Sequence, residues 1–169
     1  MDVEIRTFQE EDYYRFTEKY SDLKYYDYFR FYNPTKTKWS TLTTHNGKDH
    51  FFVIADASTD ELIGTIFAQR RDESFPYKVE LSTLPQYSKQ GCGKQAFKLL
   101  MEYLKDNLDI DNVMLSVDYE NESSMKFIES LKKEFDIDTV DLNKEGYKMC
   151  FVKEKKRDID KISSEDEER

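Results

Sequence analysis

Along the first residues, Val3, Ile5 and Thr7 alternate with Glu4, Arg6 and Phe8, the period of a strand with one buried face. The period then changes over residues 10–20, where acids crowd the opening turn favoured by the helix dipole and Tyr13, Phe16 and Tyr20 share one helical face. An aromatic stretch fills residues 23–32; Asn33-Pro34 ends it before a short helix expected through Trp39 and Leu42, and Asn46-Gly47 marks a turn. Residues 50–57 and 62–69 are two apolar, β-rich runs joined by Ser58-Thr59-Asp60-Glu61, which reads as a hairpin, and residues 77–84 supply a third strand after Phe75-Pro76.

Beyond Pro85 the pattern becomes strand, helix, strand. Ala96, Leu99, Leu100, Tyr103 and Leu104 recur at helical spacing within residues 93–108, and residues 112–117 form a short apolar strand. Met125, Ile128, Leu131 and Lys132 carry a second helix over residues 122–135, and residues 147–152 close with a last strand. The fold class expected is α+β, with an antiparallel first half and a βαβ unit in the second. No internal repeat and no Pro/Gly/Ser linker divides the chain, so one domain is expected over residues 1–153, followed by a charged, disordered tail over 154–169.

Composition adds limits to this pattern. The 169 residues suit one core of ~100–200 residues, and twelve Tyr, twelve Phe and one Trp provide large burial units in a chain that is 36% charged. Acidic residues outnumber basic ones 35 to 26, a formal charge of −9 that disfavours nucleic acid or an anionic membrane as partner and suits a cationic one. Cys92 and Cys150 are too few for a disulfide framework, and the opening residues contain no apolar secretion signal. No run approaches the ~20 apolar residues of a membrane span, so a cytoplasmic protein is expected. His45 and His50 have no carboxylate pair at ligand spacing, and no metal site is expected.

The segment with the most chemical content runs from Leu81 to Ala96, leaving a strand, crossing a short loop and entering a helix. Gly91 and Gly93 allow close backbone approach, and the unpaired N–H groups of the helix start carry the positive end of its dipole, so the segment predicts an anion site fit for a pyrophosphate, its alternative being glycines that serve the turn alone. Lys89 and Lys94 add two cations to this spot on an acidic chain. Further on, the strand around Val113 runs into Asn121, the expected N-cap of the next helix, with Ser124 one turn inside.

These two motifs, in this order of elements, resemble the GNAT superfamily of acyl-CoA N-acyltransferases. Pro85, Gln86, Tyr87, Gly91, Gly93 and Lys94 match the form of that family's pyrophosphate loop, and Asn121 and Ser124 match its later Asn-x-x-Ser/Ala helix opening; the resemblance covers residues 3–152. It implies a mixed, mostly antiparallel sheet flanked by helices. It also implies acetyl-CoA as cosubstrate, held through Thr83, Ser88, Lys89, Gln90, Gly91, Cys92, Gly93 and Lys94 with Asn121 and Ser124, and direct transfer to an amine. The chain departs from the family pattern at three positions. Ser88 replaces the usual Arg or Gln of the loop, Ile128 replaces a common Tyr general acid, and Ser116 stands where some peptide N-terminal acetyltransferases carry Glu.

An ammonium must lose a proton before it attacks, and a backbone N–H must meet the developing oxyanion. The resemblance assigns that N–H to residues 82–84. Glu80, two residues before Ser82 and on its side of the strand, is the candidate base, its alternative being a solvated strand residue. Cys92 reads as a small buried hydrophobe or as a thiol activated by the helix start. The aromatics of residues 25–32 and Trp39, with Asp22 and Asp27 beside them, read as core or as a pocket for a cationic amine, small-molecule or peptide. A homodimer is admitted. Two other functions stay open. Gly91-x-Gly93-x-x-Ala96 also fits a dinucleotide-binding loop, although residues 85–90 separate it from its strand, and a non-catalytic acyl-CoA-binding module would account for Ile128 and Ser88.

Overall fold

The computed structural model describes residues 1–19, 50–70, 72–142 and 146–155, apart from the side chains of Tyr13, Thr17 and Lys19. The aromatic stretch, the helix expected near Trp39, the turn at Asn46-Gly47, His45 and nearly all of the expected tail lie outside these residues. The chain divides into two compact units, Met1–Ile110 and Asp111–Arg169.

In the first unit β1 (Val3–Thr7), β2 (His50–Asp56), β3 (Leu62–Gln69) and β4 (Tyr77–Thr83) are successive antiparallel neighbours. Paired residues share a face and consecutive residues alternate, so register assigns every side chain to a side. One face bears the row Arg6, Val53, Thr65, Ser82 and, beside it, the row Phe51, Phe67, Glu80. The other bears Ile5, Ile54, Gly64, Thr83 and Thr7, Phe52, Ile66, Leu81. The β2–β3 turn is set by Asp56, whose carboxylate accepts from the Ser58 amide at 2.8 Å and hydroxyl at 2.7 Å.

Helix α1 (Glu10–Lys19) opens with Glu10, Glu11 and Asp12. Asp12 accepts the Gln9 amide at 2.9 Å, half of a capping box, and also takes Nη1 and Nη2 of Arg6 at 2.7 and 2.8 Å. Arg6 Nε reaches Asp60 at 2.9 Å, so one guanidinium ties the helix start, β1 and the hairpin turn together. Phe16, 1% exposed, stacks on Phe8 at 5.8 Å. The longer α2 (Cys92–Leu108) covers the opposite face through Ala96, Phe97, Leu100, Met101 and Leu104, all buried, with Tyr103 set edge-on to Phe52 at 4.9 Å. At about 1.5–3 kcal/mol for each large apolar side chain, this stripe contributes a large share of the unit's cohesion.

The second unit places β5 (Asn112–Asp118), β7 (Tyr147–Glu154) and β6 (Phe135–Leu142) side by side in that order, all antiparallel, with α3 (Glu122–Leu131) against β5. Its core is Val113, Leu115, Val117, Ile128, Leu131, Phe135, Cys150 and Val152. The helix expected to reach residue 135 stops at Leu131, and Phe135 instead begins β6. The alternation Phe-Asp-Ile-Asp-Thr in that stretch is a strand signal; helical spacing from Leu131 to Phe135 obscured it. The expected α+β architecture is present, with antiparallel pairing in both units.

Asp12 is 2% exposed, and its loss leaves Arg6 with Asp60 alone and the Gln9 amide without its acceptor. Asp12→Ala should therefore lower stability by about 2–3 kcal/mol, moderated by the partial solvation of Arg6, whereas Glu11→Ala in the same turn should change it by less than ~0.5 kcal/mol. Urea denaturation of both variants measures the difference.

Candidate functional site

The loop expected to hold an anion begins where β4 ends. Leu84 N–H donates to the Ile63 carbonyl at 2.7 Å, and Pro85 then starts a single 3-10 turn, Pro85–Tyr87, closed by Ser88 N–H on the Pro85 carbonyl at 3.1 Å. Gln90 fastens the turn from outside by donating to the Gln86 carbonyl at 2.9 Å. Tyr87 anchors it from inside: burial first, and the Glu61 carboxylate beside it, push its hydroxyl up to about 12. Lys89 and Gly91 both adopt left-handed backbone, φ 63° and 77°, which reverses the chain and delivers it to α2.

Gly91 is the N-cap of α2 and has no side chain to offer the first turn. The first intrahelical bond is Gln95 N–H to the Gly91 carbonyl at 3.1 Å, so the amides of Cys92, Gly93 and Lys94 precede the ladder. No acidic residue lies in this turn, in contrast to the three that open α1. A Cβ built on Gly91 meets nothing within 4 Å, and Ser88, Lys89, Gln90 and Gly91 are all exposed. An open, uncapped, acid-free helix start with a lysine beside it fits a phosphate oxyanion. The turn is held rigidly: Gln95 accepts the Val3 amide at 3.2 Å and donates to the Met1 carbonyl at 2.8 Å. Cys92 is 1% exposed, and burial pushes its thiol up, the reverse of the activation a reactive cysteine needs.

On β4, Glu80 has a side chain 37% exposed, with Lys78 Nζ 3.9 Å away. It lies on the face opposite α2, in register with Phe67 and, through it, with Phe51; those two rings meet edge to face at 4.8 Å. The Leu84 to Ile63 bond fixes the phase of the β3–β4 ladder, in which hydrogen-bonded pairs alternate with non-bonded ones. The amides of Ser82 and Leu84 thus face β3, while that of Thr83 points away from it. Among residues 82–84, Thr83 is the one whose N–H is directed outward.

In the second unit Asn121 caps α3, its Oδ1 accepting the Ser124 amide at 3.0 Å. Ile128 is 3% exposed and faces the core. The residues expected to form the site therefore fall into two sets: Glu80, Thr83 and the loop from Ser88 to Lys94 in the first unit, Asn121 and Ser124 in the second. Two residues escaped the sequence reading, Gly64 and Thr65, the latter 2% exposed with a hydroxyl that has no hydrogen-bond partner. A Cβ on Gly64 would lie 2.0 Å from the Ser82 carbonyl oxygen and 2.9 Å from Thr83 Cα. Glycine inside a strand pattern is the available signal for such a close approach.

His50 sits between two tyrosine hydroxyls, Tyr77 at 3.5 Å from Nε2 and Tyr103 at 3.4 Å from Nδ1. Among the described residues no three His, Cys, Asp or Glu are grouped to hold a metal ion. The dinucleotide-loop alternative fails on topology, because β4 is the fourth strand of an antiparallel series and a 3-10 turn separates it from the glycines.

The profile of the acetyltransferase (GNAT) domain matches residues 2–132. No curated protein is significantly similar in sequence. Among solved structures, the spermidine N-acetyltransferase of Vibrio cholerae in complex with CoA and spermine has a TM-score of 0.67 at 15% identity over 90% of this chain and 95% of that one. A GNAT-family acetyltransferase from Bacillus anthracis has 0.66 at 16% over 90% and 93%, and a domain from Methanocaldococcus jannaschii has 0.67 at 16% over 90% and 98%. These likenesses establish the fold.

Two glycine substitutions separate packing from binding. Gly64→Ala, which drives a methyl into backbone, should cost about 2–3 kcal/mol in chemical denaturation. Gly91→Ala has room for its methyl and should lose only ~1–2 kcal/mol for the left-handed backbone, while weakening acetyl-CoA affinity in calorimetry.

Proposed function

Because the chain belongs to the GNAT acetyltransferase family, we propose that it moves an acetyl group from acetyl-CoA to the primary amine of a cationic small molecule or peptide, by direct attack in a ternary complex with Glu80 as base. The observation that carries this reading is the start of α2: Gly91 in left-handed backbone, with no capping side chain, no acid in the turn and open space before it. Cys92, Gly93 and Lys94 would offer their amides to the pyrophosphate, and Lys89 its charge. Bound there, acetyl-CoA supplies an activated thioester.

Glu80 takes the proton that the ammonium must lose, being partly exposed on a strand that leads straight into the loop. The outward amide of Thr83 is the donor available to the oxyanion. No phenol occupies the position of Ile128, and a thiolate of ordinary thiol basicity, ~8.5, leaves near neutral pH without a dedicated acid. Asn121 and Ser124 hold the opening of α3 through their mutual hydrogen bond.

A cationic acceptor is supported by the charge of −9 and by the placement of Glu80 in one row with Phe51 and Phe67, since carboxylate and aromatic faces both attract ammonium groups. The spermine-bound structure of similar fold makes polyamines the first compounds to try. Among the described residues no helix is long and apolar enough to cross a membrane, and both cysteines are free thiols, in keeping with a cytoplasmic enzyme.

Saturating acetyl-CoA should raise the melting temperature, as a ligand selective for the native state must. Glu80→Gln should keep that shift and lower kcat on the best acceptor by about 100-fold, followed as CoA release from spermidine, spermine and basic peptides. Undiminished turnover in Glu80→Gln moves the base elsewhere; a bound acetyl-CoA with no turnover on any amine leaves only a binding module.

A further inference from the structure

In an antiparallel pair each residue turns both of its backbone groups to one side, and consecutive residues face opposite sides. In β1 the bonds from Ala57 N–H to the Asp2 carbonyl at 3.0 Å and from Phe8 N–H to the Phe51 carbonyl at 3.1 Å give the even-numbered residues to β2. The carbonyl of Met1 and the amide of Val3 therefore point out of the edge of the sheet. One side chain meets both: Gln95, in the first turn of α2, accepts from Val3 N–H at 3.2 Å and donates to the Met1 carbonyl at 2.8 Å. Its carboxamide stands where the peptide group of a neighbouring strand would be. Met1 also reaches Cys92, Sδ to Sγ at 4.0 Å, so the segment entering β1 touches the same turn twice. The positive end of the helix dipole would favour glutamate over glutamine here. A carboxylate, however, has no proton for the Met1 carbonyl and would set a negative charge beside Cys92, Gly93 and Lys94. A neutral group that both donates and accepts is what a turn shared by a strand edge and a phosphate requires.

We infer that Gln95 is a positioning residue for acetyl-CoA: it locks the first turn of α2 to the edge of β1 and so fixes the direction in which the amides of Cys92, Gly93 and Lys94 meet the pyrophosphate. This rests on the reading of that turn as the pyrophosphate site. Amides held in place before the ligand arrives lose little freedom when it binds, so the lock acts on affinity for the cosubstrate and leaves the chemical step alone. The coupling is mutual, because a ligand that orders the turn also steadies the bond from Val3 N–H to Gln95. Through its backbone, β1 becomes part of the cosubstrate site although it carries none of the proposed reacting groups.

Two measurements on the full chain test this. In hydrogen exchange followed by NMR, saturating acetyl-CoA should slow exchange of the wild-type Val3 amide by at least about threefold; an unchanged rate overturns the proposal. In calorimetry, Gln95→Met, similar in length and helix propensity but without hydrogen bonds to β1, should raise Kd for acetyl-CoA about tenfold. Gln95→Glu should raise it further, by an excess that shrinks with added salt. On the best acceptor, kcat of Gln95→Met at saturating acetyl-CoA should stay within about twofold of wild type. A purely structural glutamine predicts lower melting temperatures for both variants without ligand, and wild-type affinity once they are folded. A turn that needs only to be free of charge predicts wild-type affinity in Gln95→Met and a loss in Gln95→Glu alone. Either result refutes the role of Gln95, whereas a folded wild-type protein that binds no acetyl-CoA refutes the pyrophosphate reading and this inference with it.

Discussion

The first unit depends on one backbone reversal, the left-handed turn at Gly91 that takes the chain from β4 into α2. It does two kinds of work. It aims α2 so that Phe97, Leu100 and Leu104 close the core on one sheet face. It also leaves the helix start without a capping side chain and with open space beside Gly91. A side chain here would meet strain at that φ, and a capping group would fill the place proposed for the anion.

Register then separates the two faces by purpose. The α2 side of the β1–β4 sheet is mostly apolar, with Thr7, His50 and Thr83 as exceptions, whereas the other side mixes Arg6, Thr65, Ser82 and Glu80 with Phe51 and Phe67. Alternation along a strand makes this division automatic, so a one-residue slip of β4 would bury Glu80 under α2 and turn Leu81 outward. The β3–β4 ladder is accordingly under tight geometric control, with Gly64 bringing the strands together and the Leu84 bond closing their end.

Much of this was legible beforehand. The strands around Val3, Val53, Ile66 and Val79, the helix starting beside Gly93 and the cap at Asn121 all follow from period, capping chemistry and glycine placement. The loop was readable because its chemistry is local: two glycines, two lysines and a helix start lie within a few residues. β6 was not, because Phe135 falls at helical spacing from Leu131 and its three aspartates dilute the apolar pattern of an exposed strand. Thr65 was invisible for a different reason. An orphaned hydroxyl is defined by what surrounds it, and neither its burial nor its pairing with Ser82 is written in the residues on either side.

The close approach at Gly64 has a consequence for reading related chains. Any side chain there collides with the Ser82 carbonyl, a backbone atom that no rotamer change can move. Glycine at this strand position should therefore accompany the polar row across the sheet through sequence divergence, as a marker more durable than the hydroxyls themselves. A relative bearing alanine there must hold its strands farther apart, and would reveal by that spacing that this part of the sheet has been rebuilt.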